Sequence, residues 1–175
     1  MKGLNISKND VIMNISAGFD ETSELLLQKF PGVQLEVFDF YDPELHTEPS
    51  IKRARKAYPA FNGKRGISTS NIPLGDDAVD VALLILTAHE IRKTEERLVF
   101  FKEVSRVLKS DGNLVVVEHL RDLPNFLAYT IGVFHFFSRN SWMTLFEKSN
   151  FELHKEIKIT PFISTFILRK HGTAS

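Results

Sequence analysis

Three histidines sit where an apolar run gives way to a loop or lies close to one: His89 in Thr87-Ala88-His89-Glu90, His119 after Glu118, and His135 in a Phe-rich stretch. Imidazole titrates near neutral pH, so each is a candidate general acid or base. An ordinary polar role near the surface is the competing explanation for each. His89, His119 and Glu118 also offer metal-ligand atoms, but their spacing matches no short helical ligand motif, and no metal is expected. Cysteine is absent, which excludes thiolate nucleophiles, thiolate metal sites and disulfides. That absence suits a reducing compartment, and a cytoplasmic location is the expectation.

The elements that must position these groups alternate along the chain. Residues 11–15 form a short apolar strand. Asp20, Thr22 and Ser23 offer helix-capping oxygens, and Leu25, Leu26 and Leu27 supply an apolar face that Pro31-Gly32 ends. Residues 34–40 read as a second strand, ending at Asp39 and Phe40. Residues 50–58 read as a short basic helix with a solvated charged face, and a short strand is expected around Gly66 and Ile67. Residues 79–86 and 114–117 are almost wholly apolar, as in parallel strands covered on both faces. Between them Thr94 can cap a helix bearing Leu98, Phe101, Val104 and Leu108, with Lys109 and Asp111-Gly112 at its end. Ser138 or Asn140 opens a helix with Trp142, Leu145 and Phe146. The last two strands, 151–160 and 162–168, are joined through Pro161 too tightly for parallel neighbours, so they should pair as an antiparallel hairpin.

This alternation predicts an α/β sandwich, and 175 residues with 43% hydrophobic and 25% charged content fit one domain spanning 1–175. Lys+Arg and Asp+Glu are both 22, so no net field draws the chain to nucleic acid or an anionic membrane. The first ten residues are polar, without the basic and apolar blocks of a secretory leader. The apolar segment 124–137 is shorter than the ~20 residues a transmembrane helix needs.

The order of parts resembles a class I S-adenosylmethionine-dependent methyltransferase, nearest the ubiquinone/menaquinone-biosynthesis-like group (type 11). Asp76-Asp77-Ala78-Val79-Asp80-Val81-Ala82-Leu83-Leu84 resembles that family's D-x-x-F-D-V-V entry to the fourth strand. Asn71-Ile72-Pro73-Leu74 resembles its L-P-F loop. Glu103-Val104-Ser105-Arg106-Val107-Leu108-Lys109-Ser110-Asp111-Gly112-Asn113-Leu114 resembles R-V-L-K-P-G-G-x-L with two substitutions. The lead from Phe146 to Phe151 is similar to L-x-x-A-G-F. The resemblance implies a three-layer, Rossmann-like sandwich with a mostly parallel seven-stranded sheet of order 3-2-1-4-5-7-6 and an antiparallel last hairpin.

It also implies S-adenosylmethionine as cofactor, bound by a glycine-rich loop after the first strand. Here that loop reads Asn14-Ile15-Ser16-Ala17-Gly18-Phe19-Asp20 and keeps only Gly18 of three glycines. Ser16 and Ala17 are small enough to permit close approach, whereas Phe19 adds bulk and Asp20 a carboxylate. By the same resemblance Asp39 accepts hydrogen bonds from the ribose diol, Phe40 packs on adenine, and Ser68, Thr69 and Ser70 frame the base, with Thr87 bounding the pocket. His89 matches the family's L-H-H segment and is the first candidate for catalysis, with His119 next. Phe126, Phe134, Phe136 and Phe137 fall where relatives bind the acceptor, and they imply a small apolar or aromatic one. The same rings equally suit core packing or a homodimer contact through 124–137. Because the glycine loop is degenerate, a methyltransferase-like binding module without catalysis is the competing reading.

Overall fold

The computed structural model describes residues 6–42, 44, 55 and 61–172. Seven strands carry the fold: β1 (Val11–Ser16), β2 (Gln34–Asp39), β3 (Arg65–Gly66), β4 (Val79–Ile85), β5 (Leu108–His119), β6 (Phe151–Lys158) and β7 (Ile163–Lys170). They form one sheet in the order β3-β2-β1-β4-β5-β7-β6. The first five pair in parallel, while β7 runs antiparallel to both β5 and β6. This is the order, and the closing hairpin, that the resemblance implies.

Alternation along the central strands divides their side chains between two cores. Met13, Ile15, Ala82, Leu84, Leu114 and Val116 face α2 (Thr94–Val107) and α4 (Arg139–Lys148), where they meet Phe100, Phe101, Val104, Trp142 and Phe146. Ile12, Val81, Leu83 and Val115 face the other way, with Leu26 of α1 (Ser23–Lys29). Burial on both faces is why β4 and β5 read as unbroken apolar runs. Much of the phenylalanine content is spent here: Phe38, Phe100, Phe101, Phe146, Phe151 and Phe166 are fully buried. Each such ring contributes about 1.5–3 kcal/mol, more than a surface ion pair does.

Several local expectations are corrected. The face expected of Leu25, Leu26 and Leu27 shrinks to Leu26, because adjacent helical residues cannot share one face and the other two are exposed. Thr94 is the first residue of α2 rather than its cap, and Lys93 before it makes no side-chain capping bond. β5 starts at Leu108 directly after α2, well ahead of residue 114. The ladder pairs Val79 with Leu108 and then Val81 with Asn113, so the expected turn at residues 109–112 survives as a loop thrown out of the ladder. Ser138 does cap α4, its Oγ accepting from the Ser141 N–H at 3.2 Å. The basic helix expected over residues 50–58 lies outside the described residues apart from Arg55, which is helical.

The Phe-rich segment folds as α3 (Leu123–Tyr129) followed by a 3-10 turn, Thr130–His135. Its rings divide in two directions. Phe136 is buried and Phe137 packs against the larger core, while Phe126 and Phe134 are exposed beside Leu127 and Ile131. Among the described residues no helix is long and apolar enough to cross a membrane. The two borders of the sheet differ in kind: β3 has two residues, and β6 carries Glu152, His154, Lys155, Glu156 and Lys158 among only three apolar positions.

Gly112 closes the loop within the β4–β5 ladder. A methyl group there would meet Leu108 Cγ at 2.9 Å and the Asp80 carbonyl oxygen at 3.0 Å. Gly112→Ala is therefore expected to lower stability by about 1–3 kcal/mol, read as a reduced urea midpoint at unchanged slope. An unchanged midpoint would show that the loop relaxes around the methyl group.

Candidate functional site

β1 connects onward to β2 on one side, and β4 to β5 on the other, so the loops leaving their carboxyl ends part company. α/β sheets bind ligands in the crevice such a reversal opens. Here it is a cleft of about 280 Å³. Ser16, Ala17, Phe19 and Asp20 line it from the β1 side, and Leu86, Thr87 and Glu90 from the β4 side. Phe19 and Asp20 thus stand in its wall, and a cleft of that volume remains between the two sides.

The turn out of β1 depends on Gly18, whose φ of +97° is the left-handed conformation that side chains resist. Its N–H donates to Asp39 Oδ1 at 2.7 Å, and the Tyr41 N–H donates to the same oxygen at 2.9 Å. Asp39 Oδ2 accepts from Lys64 Nζ at 2.6 Å and Arg55 at 3.1 Å. Arg55 also donates to the Gly18 carbonyl at 3.0 Å and lies over the Tyr41 ring at 4.3 Å. Both oxygens of Asp39 are thus engaged within the chain, and a ribose diol binding there would exchange with Lys64 and Arg55.

Asp20 turns its side chain toward α1. Its Oδ1 accepts from the backbone N–H groups of Thr22 and Ser23 at 2.9 and 3.0 Å, which ties down the entry to α1, although Thr22, the residue at the cap position, makes no side-chain capping bond. Asn14 Nδ2 lies within hydrogen-bond distance of Asp20 Oδ1, Thr22 Oγ1 and Ser23 Oγ. Asp20 Oδ2 is buried and has no donor among the described residues. A carboxylate oxygen in that condition is costly, and an ammonium group reaching it from the cleft that Asp20 lines would supply a donor. The amino-acid end of an S-adenosyl cofactor has such a group, so this wall of the cleft fits it.

The structure brings Ser16, Ala17 and Thr87 together around the cleft, and places Gly18 and Asp39 in contact beside it. Three other expected cofactor residues lie elsewhere. Phe40 is buried against Phe100, with ring centroids 5.4 Å apart. Thr69 Oγ1 donates to Glu96 at 2.9 Å, and the Ser70 N–H donates to Ser68 Oγ at 3.2 Å; neither residue lines the cleft.

Beyond Glu90 the wall continues into a polar cluster. Glu118, at the end of β5, is wholly buried. It lies 2.7 Å from His89 Nδ1 through Oε2 and accepts from the His89 backbone N–H at 3.2 Å through Oε1. His89 Nε2 faces Glu90 Oε1 at 3.2 Å. Burial pulls the His89 pKa down, but Glu118 and then Glu90 together outweigh it and push the value up to about 10. His89 therefore holds its proton at neutral pH and is not a ready base in this arrangement. His119 differs. Its Nδ1 lies 3.0 Å from the Phe162 carbonyl oxygen, which can only accept, so Nδ1 is the donor there and Nε2 is the acceptor atom of the neutral tautomer. Its ring stacks on Phe136 at 4.9 Å and meets the edge of Tyr129 at 5.3 Å.

Sequence reasoning did not single out Glu90, Lys64 or Arg55 as site groups. Glu90 had a usable signal, being a carboxylate beside His89 just beyond an apolar strand, whereas nothing local marks Lys64 as the partner of Asp39.

A family model described as a methyltransferase domain matches residues 17–116. Among curated proteins no sequence matches. Solved structures similar in fold include an S-adenosylmethionine-dependent methyltransferase of Methanosarcina mazei, at 19% identity over 95% of this chain and 94% of that one, with a TM-score of 0.66. Another from Aquifex aeolicus aligns at 14% identity over 94% and 84% of the two chains, with a TM-score of 0.67. A mitomycin 7-O-methyltransferase aligns at 15% identity over 93% of this chain and 49% of its own, with a TM-score of 0.66. The model spans more than half of the sequence, and on that ground the chain belongs to the methyltransferase domain family, whose membership points to S-adenosylmethionine as the cofactor.

Proposed function

We propose that the chain is an active methyltransferase for a small apolar or aromatic acceptor that approaches over Glu90, beside Tyr129, His119 and Phe136. The observation that carries this is the open cleft between β1 and β4, with the donor-less Asp20 oxygen in its wall. S-adenosylmethionine, when bound, supplies an electrophilic methyl group on a sulfonium. Methyl transfer is an in-line displacement, so the chain's task is alignment and exclusion of water. Asp20 Oδ2 receives the ammonium at the amino-acid end, and Ser16, Ala17 and Thr87 form small walls along the body of the cleft. Gly18 and Asp39 hold the turn at its ribose end, where Lys64 and Arg55 give way to the diol.

On the acceptor side, the apolar edges of Tyr129 and Phe136 suit an aromatic or lipophilic body. Where the acceptor has a proton to lose, His119 Nε2 takes it. His89, fixed by Glu118, keeps its charge and orients the polar end of the acceptor.

Isothermal calorimetry with S-adenosylmethionine and S-adenosylhomocysteine tests the core of this reading; no heat with either at millimolar concentration would overturn it. Asp20→Asn keeps an oxygen for the first amides of α1 but removes the charge. It is expected to weaken cofactor binding by about 10- to 100-fold with little change in urea midpoint. Transfer of a labelled methyl group to a panel of phenolic and lipophilic acceptors tests the acceptor class. With a phenolic acceptor, His119→Gln is expected to lower kcat by about 10²–10⁴-fold. Loss confined to KM would leave His119 as a contact only.

A further inference from the structure

We infer that His89 Nε2, Glu90 and His135 Nε2 form a binding site for one divalent transition cation of the zinc class at the mouth of the cleft, the cation displacing to solvent the proton that His89 Nε2 otherwise holds. His135 comes from the 3-10 turn after α3, so no sequence spacing announces it. The ligand atoms of the three side chains all lie within 4.8 Å of one another. His89 Nε2 is 3.2 Å from Glu90 Oε1, and His135 Nε2 is 4.0 Å from the same oxygen. Ligands held at about 2.0–2.1 Å in a tetrahedron stand roughly 3.3 Å apart, so one edge is already formed, the second closes by less than about 1 Å, and the third, between the two histidines, by at most about 1.5 Å.

A second layer supports the first. Glu118, with no exposed surface, engages His89 Nδ1 and fixes which ring nitrogen faces Glu90 and His135. A carboxylate on the far nitrogen of a histidine is the usual outer partner of a metal-bound imidazole. Arg92 ties the two histidine-bearing segments together, donating to the His89 carbonyl at 3.2 Å and the His135 carbonyl at 2.6 Å. Its guanidinium turns onto the Phe137 ring at 4.8 Å. The His89 and His135 rings meet edge to face with centroids 5.5 Å apart.

Two imidazoles and one carboxylate select a borderline cation such as Zn²⁺ or Co²⁺ over Mg²⁺ or Ca²⁺, which prefer oxygen donors. Three protein ligands leave a coordination position open, as in sites that bind a water or a substrate oxygen. Glu90 lines the cleft, so that position lies at its mouth. The site goes beyond the methyl-transfer reading and stands without it: a chain that binds the cofactor but no cation overturns this inference alone.

The test is titration of the full chain, stripped with a chelator, with Co²⁺ followed by visible d–d absorption and with Zn²⁺ followed by calorimetry. One equivalent is expected at micromolar affinity or tighter, with the intense absorption of four-coordinate Co²⁺. His135→Ala and Glu90→Gln should each weaken binding at least tenfold, and Glu118→Gln by about 10- to 100-fold, with circular dichroism unchanged. His154→Ala, on the exposed face of β6, should leave it unaltered. No stoichiometric absorption, affinity retained in both His135→Ala and Glu90→Gln, or affinity lost in His154→Ala would overturn the site.

Discussion

A buried carboxylate must be satisfied, and at the end of β2 Asp39 gathers the N–H groups of Gly18 and Tyr41 and the cations of Lys64 and Arg55. The two backbone donors come from the loops that leave β1 and β2, so one side chain sets the relative height of both. The left-handed turn at Gly18 is held from outside in this way, and the wall of the cleft that follows it inherits its position. Lys64 and Arg55 complete the charge balance that permits a carboxylate to be buried. The geometry at this end of the cleft is thus set by an electrostatic knot at a strand end.

The degenerate glycine loop gains a physical account from its neighbours. Asn14, within β1, points its amide at Asp20, Thr22 and Ser23. One oxygen of Asp20 binds the first amides of α1, while the other lacks a donor among the described residues. The residue that looked most hostile to a ligand at this loop is therefore bound into its helix and leaves the cleft open.

Much of the architecture was legible because it rests on short-range rules. The unbroken apolar runs of β4 and β5 announced burial on both faces, Pro161 announced a tight hairpin, and Ser138 announced the start of α4. What escaped depends on partners distant in sequence. β5 begins early because Leu108 finds Val79 across the sheet, which no local pattern encodes. Arg97, on a helix face that composition would leave in water, is buried over the Phe137 ring at 3.8 Å and donates to the Ile91 carbonyl. The site divides in the same way. Ser16, Gly18, Asp39 and Thr87 sit at strand ends that periodicity locates, whereas the meeting of His89 with His135 requires the fold around the turn after α3.

The contrast between the borders of the sheet has a consequence for how the molecule behaves among its own copies. A two-residue strand at one margin offers almost no ladder for another chain to join, and charges along the other make a flat, sticky continuation unfavourable. Cross-strand aggregation is thereby discouraged at both margins. The chain's tendency to self-associate in concentrated solution then depends on the greasy knuckle formed by Leu127, Ile131 and Phe134, and detergents or lipids that wet that knuckle should govern its colloidal behaviour.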